Sequence, residues 1–129
     1  MRRQLNTRVM LVDDSEVACE ALKHTLTSAG AEVVALTSPF GFIRALRESN
    51  PQVILLDIGL GTLNGTKLVE LGRQHAPRGC SILLYSSRET QSLRDDALSC
   101  GADGYIQKAT TGAALVEAVH QWSTGVRRL

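Results

Sequence analysis

The chain has 129 residues, which at roughly 150 residues per domain is one domain, with no stretch left for an ordinary second one. Fourteen Lys and Arg nearly balance thirteen Asp and Glu, leaving a net charge of +1. That speaks against a non-specific nucleic-acid binder, which needs a clearly basic surface. Aromatic residues are 4% against 43% hydrophobic in all, so the core has to be mostly aliphatic.

Residues 1–7 read as a basic N-terminal tail that leads into only a short apolar patch, which is not a signal peptide. Val9-Met10-Leu11-Val12 is a continuous apolar run ending in Asp13-Asp14. Runs that are apolar on both faces suit buried parallel strands. From Ser15 to Ala29, the residues Val17, Ala18, Ala21, Leu22, Leu26 and Ala29 form one helical stripe, with Ser15 as N-cap and Gly30 as stop. Val33–Leu36 is the second strand-like run. A helix is predicted from about Phe40 to Ser49, closed by Asn50-Pro51 because the residue before proline is pushed out of the helical region. Val53–Leu56 is the third run and ends in Asp57. A helix over Asn64–His75 follows, then the run Ile82–Tyr85 with Ser86 and Ser87 behind it. Glu89–Cys100 reads as a helix ended by Gly101, Gly104–Ile106 as a short strand before Lys108, and Thr111–Ser123 as the last helix.

Strand and helix therefore alternate, which argues for a parallel sheet covered by helices on both faces, an α/β fold. One domain over 8–124 with tails at 1–7 and 125–129 accounts for the chain. Cys19, Cys80 and Cys100 are odd in number and widely spaced. They fit neither a disulfide framework nor a zinc knuckle and read as reduced, mostly buried thiols of a cytoplasmic protein. No apolar run approaches the ~20 residues that cross a bilayer, so membrane insertion is not expected. His24, His75 and His120 show no metal spacing, and the cluster of Arg2, Arg3 and Arg8 reads as a solvated end.

In open α/β sheets, ligands bind beyond the carboxyl ends of the strands, where strand order reverses. The residues just after each apolar run are thus the informative ones: Asp13 and Asp14, Asp57, Ser86 and Ser87, and Lys108. Each has an ordinary reading on its own. An Asp pair is often a helix cap, a Ser pair is usually turn chemistry, and a single lysine is usually on the surface. Asp57 stands out, because a charge at the end of a buried strand is costly. Converging carboxylates repel one another unless a proton or a cation neutralises them. A hard divalent ion suits oxygen ligands, and Mg²⁺ uses one or two carboxylates while leaving room for phosphate oxygens. A carboxylate can also attack phosphorus and form an acyl phosphate.

In this order and spacing the residues resemble a response-regulator receiver domain of two-component signalling. The resemblance runs from about Arg8 to Trp122. It rests on Val9–Asp14, Val53–Asp57, Gly65 eight residues beyond Asp57, Ser86, and Gly101–Lys108. It implies a flavodoxin-like, doubly wound five-stranded parallel sheet of order 2-1-3-4-5 with five helices. It implies Asp57 as phosphoacceptor, and Mg²⁺ held by Asp13, Asp14, Asp57 and the carbonyl of Gly59. Ser86 and Lys108 would contact the phosphoryl group, Ser87 would lie beside it, and Tyr105 matches an aromatic that changes rotamer as the loop moves. The implied donor is a histidine kinase or phosphotransfer protein. The output would be a face offering Glu89, Arg94, Asp95, Gln107, Glu117 and Gln121 to another protein, with a homodimer possible. The domain would be no enzyme beyond its own phosphorylation and dephosphorylation.

Departures from the family pattern carry expectations of their own. Ala109 stands where proline is usual, and a cis bond before a non-proline residue costs about 3 kcal/mol. Gly59 and Gly61 loosen the loop after Asp57, and Arg88 lies where side chains affect access of hydrolytic water. These features motivate an alternative, an adaptor that binds its partner without phosphorylation. A phosphatase of the haloacid-dehalogenase type wants a second Asp two residues after the nucleophile, whereas Asp57 is followed by Ile58 and Gly59. Direct DNA binding is not expected, since no residues remain for a helix-turn-helix.

Overall fold

A computed structural model describes residues 3–57 and 65–124. The elements run β1 (Arg8–Val12), α1 (Glu16–Ser28), β2 (Glu32–Leu36), α2 (Phe42–Ser49), β3 (Val53–Leu56), α3 (Gly65–His75), β4 (Ser81–Ser86), α4 (Thr90–Cys100), β5 (Gly104–Gln107) and α5 (Gly112–Ser123). All strands are parallel, in the order β2-β1-β3-β4-β5.

The continuous apolar runs follow from having helices on both faces. Side chains alternate along a strand, so each run must satisfy two cores at once. Val9 and Leu11 of β1 join Val53, Leu55, Leu83 and Tyr85 in a core with Leu22 and Leu26 of α1 and Leu115 and Val119 of α5. Met10 and Val12 join Ile54, Leu56, Ile82 and Leu84 in a second core with Leu46, Leu68, Leu93 and Ala97 of α2, α3 and α4. The inner strands β1, β3 and β4 are accordingly buried almost throughout. The edge strand β2 is only half-buried beyond the exposed Glu32.

Local signals place the ends of the elements. Ser15 caps α1, its Oγ accepting the Ala18 N–H at 3.1 Å. Gly30 follows the helix with φ of +103°, and a Cβ there would sit 2.5 Å from the Leu5 carbonyl oxygen. The pattern from Phe40 overshoots the start of α2. Gly41 takes a left-handed φ of 78° as N-cap, so the helix opens at Phe42 and leaves Phe40 91% exposed. Glu89 and Thr111, read as helical, are the extended N-caps of α4 and α5.

The stretch before β1 is docked rather than loose over residues 3–7. Leu5 is buried and donates its N–H to the Ala29 carbonyl at 2.6 Å, and Arg3 pairs with Glu117 of α5 at 3.0 Å. Exposed Arg8 donates from Nε to the Asn50 carbonyl at 2.8 Å. Cys19 and Cys80 are buried, and Cys100 is half-buried. No helix among the described residues is long and apolar enough to cross a membrane.

Trp122 is half-buried and packs on the α1/α5 core. Its ring lies directly over Gly104, where a Cβ would come within 2.5 Å of two ring carbons. Gly104→Ala is therefore expected to lower stability by about 1–3 kcal/mol through overpacking. Chemical denaturation checks this, and the double variant with Trp122→Leu should recover part of the loss.

Candidate functional site

Strand order reverses between β2-β1 and β3, so the carboxyl ends of β1 and β3 border the switch point. Val12 pairs with Leu56 in register, which sets Asp13 beside Asp57, and the Asp57 N–H donates to the Val12 carbonyl at 2.9 Å. Asp13 is fully buried. Its backbone N–H donates to the Leu36 carbonyl at 3.0 Å, and its Oδ1 accepts the Ser15 N–H at 2.9 Å. Asp14 is exposed and Asp57 half-buried. One carboxylate oxygen from each of Asp13, Asp14 and Asp57 lies within 4.8 Å of the others. Such a set of hard oxygens suits a divalent cation, because their mutual repulsion favours one. Gly59, the fourth ligand expected from sequence, lies outside the described residues.

Lys108 enters this group from the end of β5. Its Nζ is 2.7 Å from Asp13 Oδ2 and 3.5 Å from Asp57 Oδ2. The buried Asp13 oxygen thus meets the ammonium at close ion-pair distance. Burial works against the ammonium charge, but Asp13 and Asp57 outweigh it and hold the Lys108 pKa above its ordinary value. Ser86 ends β4 and is buried. Its Oγ accepts the Arg88 N–H at 3.2 Å, and its carbonyl accepts the Lys108 N–H at 2.7 Å. Ser87 is exposed, and Tyr105 is half-buried against the core of α2, α3 and α4. The peptide bond from Lys108 to Ala109 is trans.

Two neighbours escape the sequence reading. Tyr85 counts there only as the last residue of an apolar run, yet Lys108 Nζ lies 5.5 Å from its ring centroid, within cation–π range. Burial raises the Tyr85 pKa, and Lys108 opposes that rise. Cys19 donates its thiol to the Asp13 carbonyl at 3.3 Å. Burial and then Asp13 push its pKa up, which keeps it a thiol. The output-face candidates also divide. Glu89, Arg94, Asp95 and Gln121 are exposed, whereas Gln107 and Glu117 are half-buried and engaged within the fold.

The family model of the response regulator receiver domain matches residues 9–120. This chain belongs to the response-regulator receiver family. The receiver is 32% identical to the transcriptional regulatory protein KdpE of Mycobacterium tuberculosis over 102 residues, covering 79% of this chain and 44% of KdpE. It is 30% identical to the transcriptional regulatory protein PrrA of the same species, covering 87% of this chain and 48% of PrrA. The chain thus spans less than half the length of either relative. Among solved structures, the chemotaxis protein CheY4 of Vibrio cholerae superposes with a TM-score of 0.78 at 22% identity, covering 89% of this chain and 97% of that one. A putative response regulator of Chloroflexus aurantiacus gives 0.79 at 25% identity, covering 92% and 98%.

Lys108 is the cation that the fully buried Asp13 meets in this receiver, so its removal strands a charge. Lys108→Met is expected to lower stability by about 2 kcal/mol or more. The effect stays below that of a fully enclosed pair because a quarter of the Lys108 side chain is exposed. Adding Asp13→Asn should restore most of the loss, which a double-mutant cycle in urea reads directly. The folded Lys108 pKa lies above the ordinary 10.5. Its contribution is therefore complete below that pH and lost as pH rises through the higher folded value. Above pH 10.5 the stability gap between the parent and Lys108→Met should narrow.

Proposed function

We propose that this receiver is a phosphorylation-controlled switch that accepts a phosphoryl group on Asp57. The observation that carries the reading is the convergence of Asp13, Asp14 and Asp57 within 4.8 Å, with Lys108 Nζ 3.5 Å from Asp57. A carboxylate oxygen of Asp57 attacks the phosphorus of a phosphohistidine on a histidine kinase or phosphotransfer protein. The P–N bond breaks, the imidazole leaves, and Asp57 carries an acyl phosphate. Mg²⁺ bound to the three carboxylates would supply charge neutralisation at the transferring group.

Lys108, already beside Asp57, pairs with the new dianion. The ammonium then divides its charge between Asp13 and the phosphoryl group. The Ser86 hydroxyl offers its proton to a phosphoryl oxygen, which draws the loop after β4 inward. That shift biases an existing equilibrium of the α4–β5–α5 face, and a protein partner reads the result. The domain acts in the cytoplasm and is no enzyme for other substrates. Its only chemistry is on its own Asp57.

The test is incubation with a small acyl-phosphate donor and Mg²⁺, followed by intact-protein mass measurement. A gain of one phosphoryl group is expected in the parent and none in Asp57→Asn. Asp14→Ala should raise the Mg²⁺ concentration needed for half-maximal gain by about tenfold or more, since losing even an outer-shell partner of a metal site typically costs that much. An equal mass gain in Asp57→Asn would overturn the assignment. Partner binding unchanged in Asp57→Ala would favour the adaptor instead.

A further inference from the structure

Arg88 lies two residues beyond Ser86 in the loop that joins β4 to α4, and more than half of its side chain is exposed. Here it is held at three points. Its N–H donates to Ser86 Oγ at 3.2 Å, and its carbonyl accepts from Gln107 Nε2 at 2.9 Å. Its Nη1 is 3.0 Å from Asp96 Oδ2.

The fold explains why these partners reach it. Ser86 and Gln107 are register partners across β4 and β5, and the Lys108 N–H continues the ladder onto the Ser86 carbonyl. The Gln107 side chain therefore emerges beside the start of the loop. Asp96 lies on α4 with its Oδ2 enclosed, and Arg88 is the cation facing that oxygen. The pair is thus less exposed than an ordinary surface bridge, and losing it leaves an enclosed carboxylate oxygen without compensation.

The geometry points to Gln107 and Asp96 as positioning residues that act through Arg88 to hold Ser86, and the loop it begins, in the resting place. The functional half of this inference rests on the phosphoacceptor reading of Asp57. The Ser86 hydroxyl reaches a phosphoryl group only as the loop shifts, and Arg88 is the next polar contact along that loop. With its carbonyl fixed to β5 and its guanidinium fixed to α4, the loop shifts against both anchors. The Arg88–Asp96 pair borders an open cleft of about 260 Å³ shared with Gly65 and Cys100, so solvent reaches it from that side. Gln107 also precedes Lys108, so the end of β5 carries both the lysine of the acidic site and the anchor of the loop.

Amide hydrogen exchange on the full chain tests the positioning role. Asp96→Asn, Gln107→Ala and Arg88→Gln should each speed exchange over residues 87–92 by about two- to fivefold, the population shift expected from one such contact. Peptides from β1 and β3 should keep the parent rate. In the parent, exchange of this loop should rise between about 0.05 and 0.5 M salt as the ion pair is screened. Asp96→Asn should lose that salt response and Arg88→Lys should keep it, which a purely steric role of these side chains would not produce. The same variants, given the acyl-phosphate donor and Mg²⁺, should gain the phosphoryl group at an initial rate raised about two- to fivefold. Unchanged loop exchange in all three variants would overturn the positioning role. Faster exchange with an unchanged phosphorylation rate would overturn its link to Ser86. Loop responses as expected with no mass gain in the parent would support the anchors and overturn the phosphoacceptor reading instead.

Discussion

A carboxylate with no exposed surface needs a cation, and the arrangement around Asp13 follows from that need. Its Oδ1 is occupied by the Ser15 N–H, which helps fix the turn into α1. Its Oδ2 faces Lys108 at 2.7 Å. Asp13 follows β1, an inner strand of the sheet, whereas Lys108 follows β5 at its edge. The ion pair therefore draws the end of an edge strand over the ends of β3 and β4, across the Tyr85 ring. What would be a frayed edge becomes the wall of the acidic site. The lysine stays charged there because two carboxylates outweigh its burial.

The same pair makes the site responsive. Among the described residues, Lys108 faces three converging carboxylates, whose mutual repulsion favours further positive charge at the site. Its contact with Asp57, at 3.5 Å, is looser than its contact with Asp13. A divalent ion on the carboxylates and a phosphoryl group on Asp57 would both tip that balance from Asp13 toward Asp57. The ion would weaken the hold of Asp13 on the lysine, and the phosphoryl group would strengthen the hold of Asp57. The lysine need move only a short way to change its main partner.

The sequence makes the sheet legible because both faces of each inner strand are buried, which leaves unbroken apolar runs at Val9–Val12, Val53–Leu56 and Ile82–Tyr85. Strand ends are legible for the same reason, since the first polar residue after each run marks where the core stops. That is how Asp13, Asp57 and Ser86 can be found together, with Lys108 one residue beyond Gln107 after the last run. Less legible is anything that depends on one residue's backbone or on a side chain reaching across elements. The start of α2 is set by the left-handed Gly41, which an apolar periodicity from Phe40 overrides. Leu5 is an isolated apolar residue outside every periodic stretch, yet it is buried beside Gly30. Gln107 and Glu117 look like surface residues by composition, and only the packing of β5 and α5 reveals their partners.

Edge strands in a sheet of this kind are covered on fewer sides, so their ends are held mainly by side chains. At β5 the start is fixed by Asp103, which accepts the Ile82 N–H at 2.8 Å and pairs with Arg73 at 2.9 Å. Gly104 at that end lies under the Trp122 ring, which leaves no room for a side chain. Among the described residues the other end is held mainly by polar contacts: the Lys108 N–H on Ser86, the Lys108 ammonium on Asp13, and the Gln107 amide on Arg88. The two ends therefore differ in that the start adds the close packing of Trp122 on Gly104 to its polar contacts. Tight packing resists graded movement, whereas polar contacts can exchange one partner for another at modest cost. A change of charge at Asp57 would therefore be felt first at the end of β5 that carries Lys108, which already contacts Asp57.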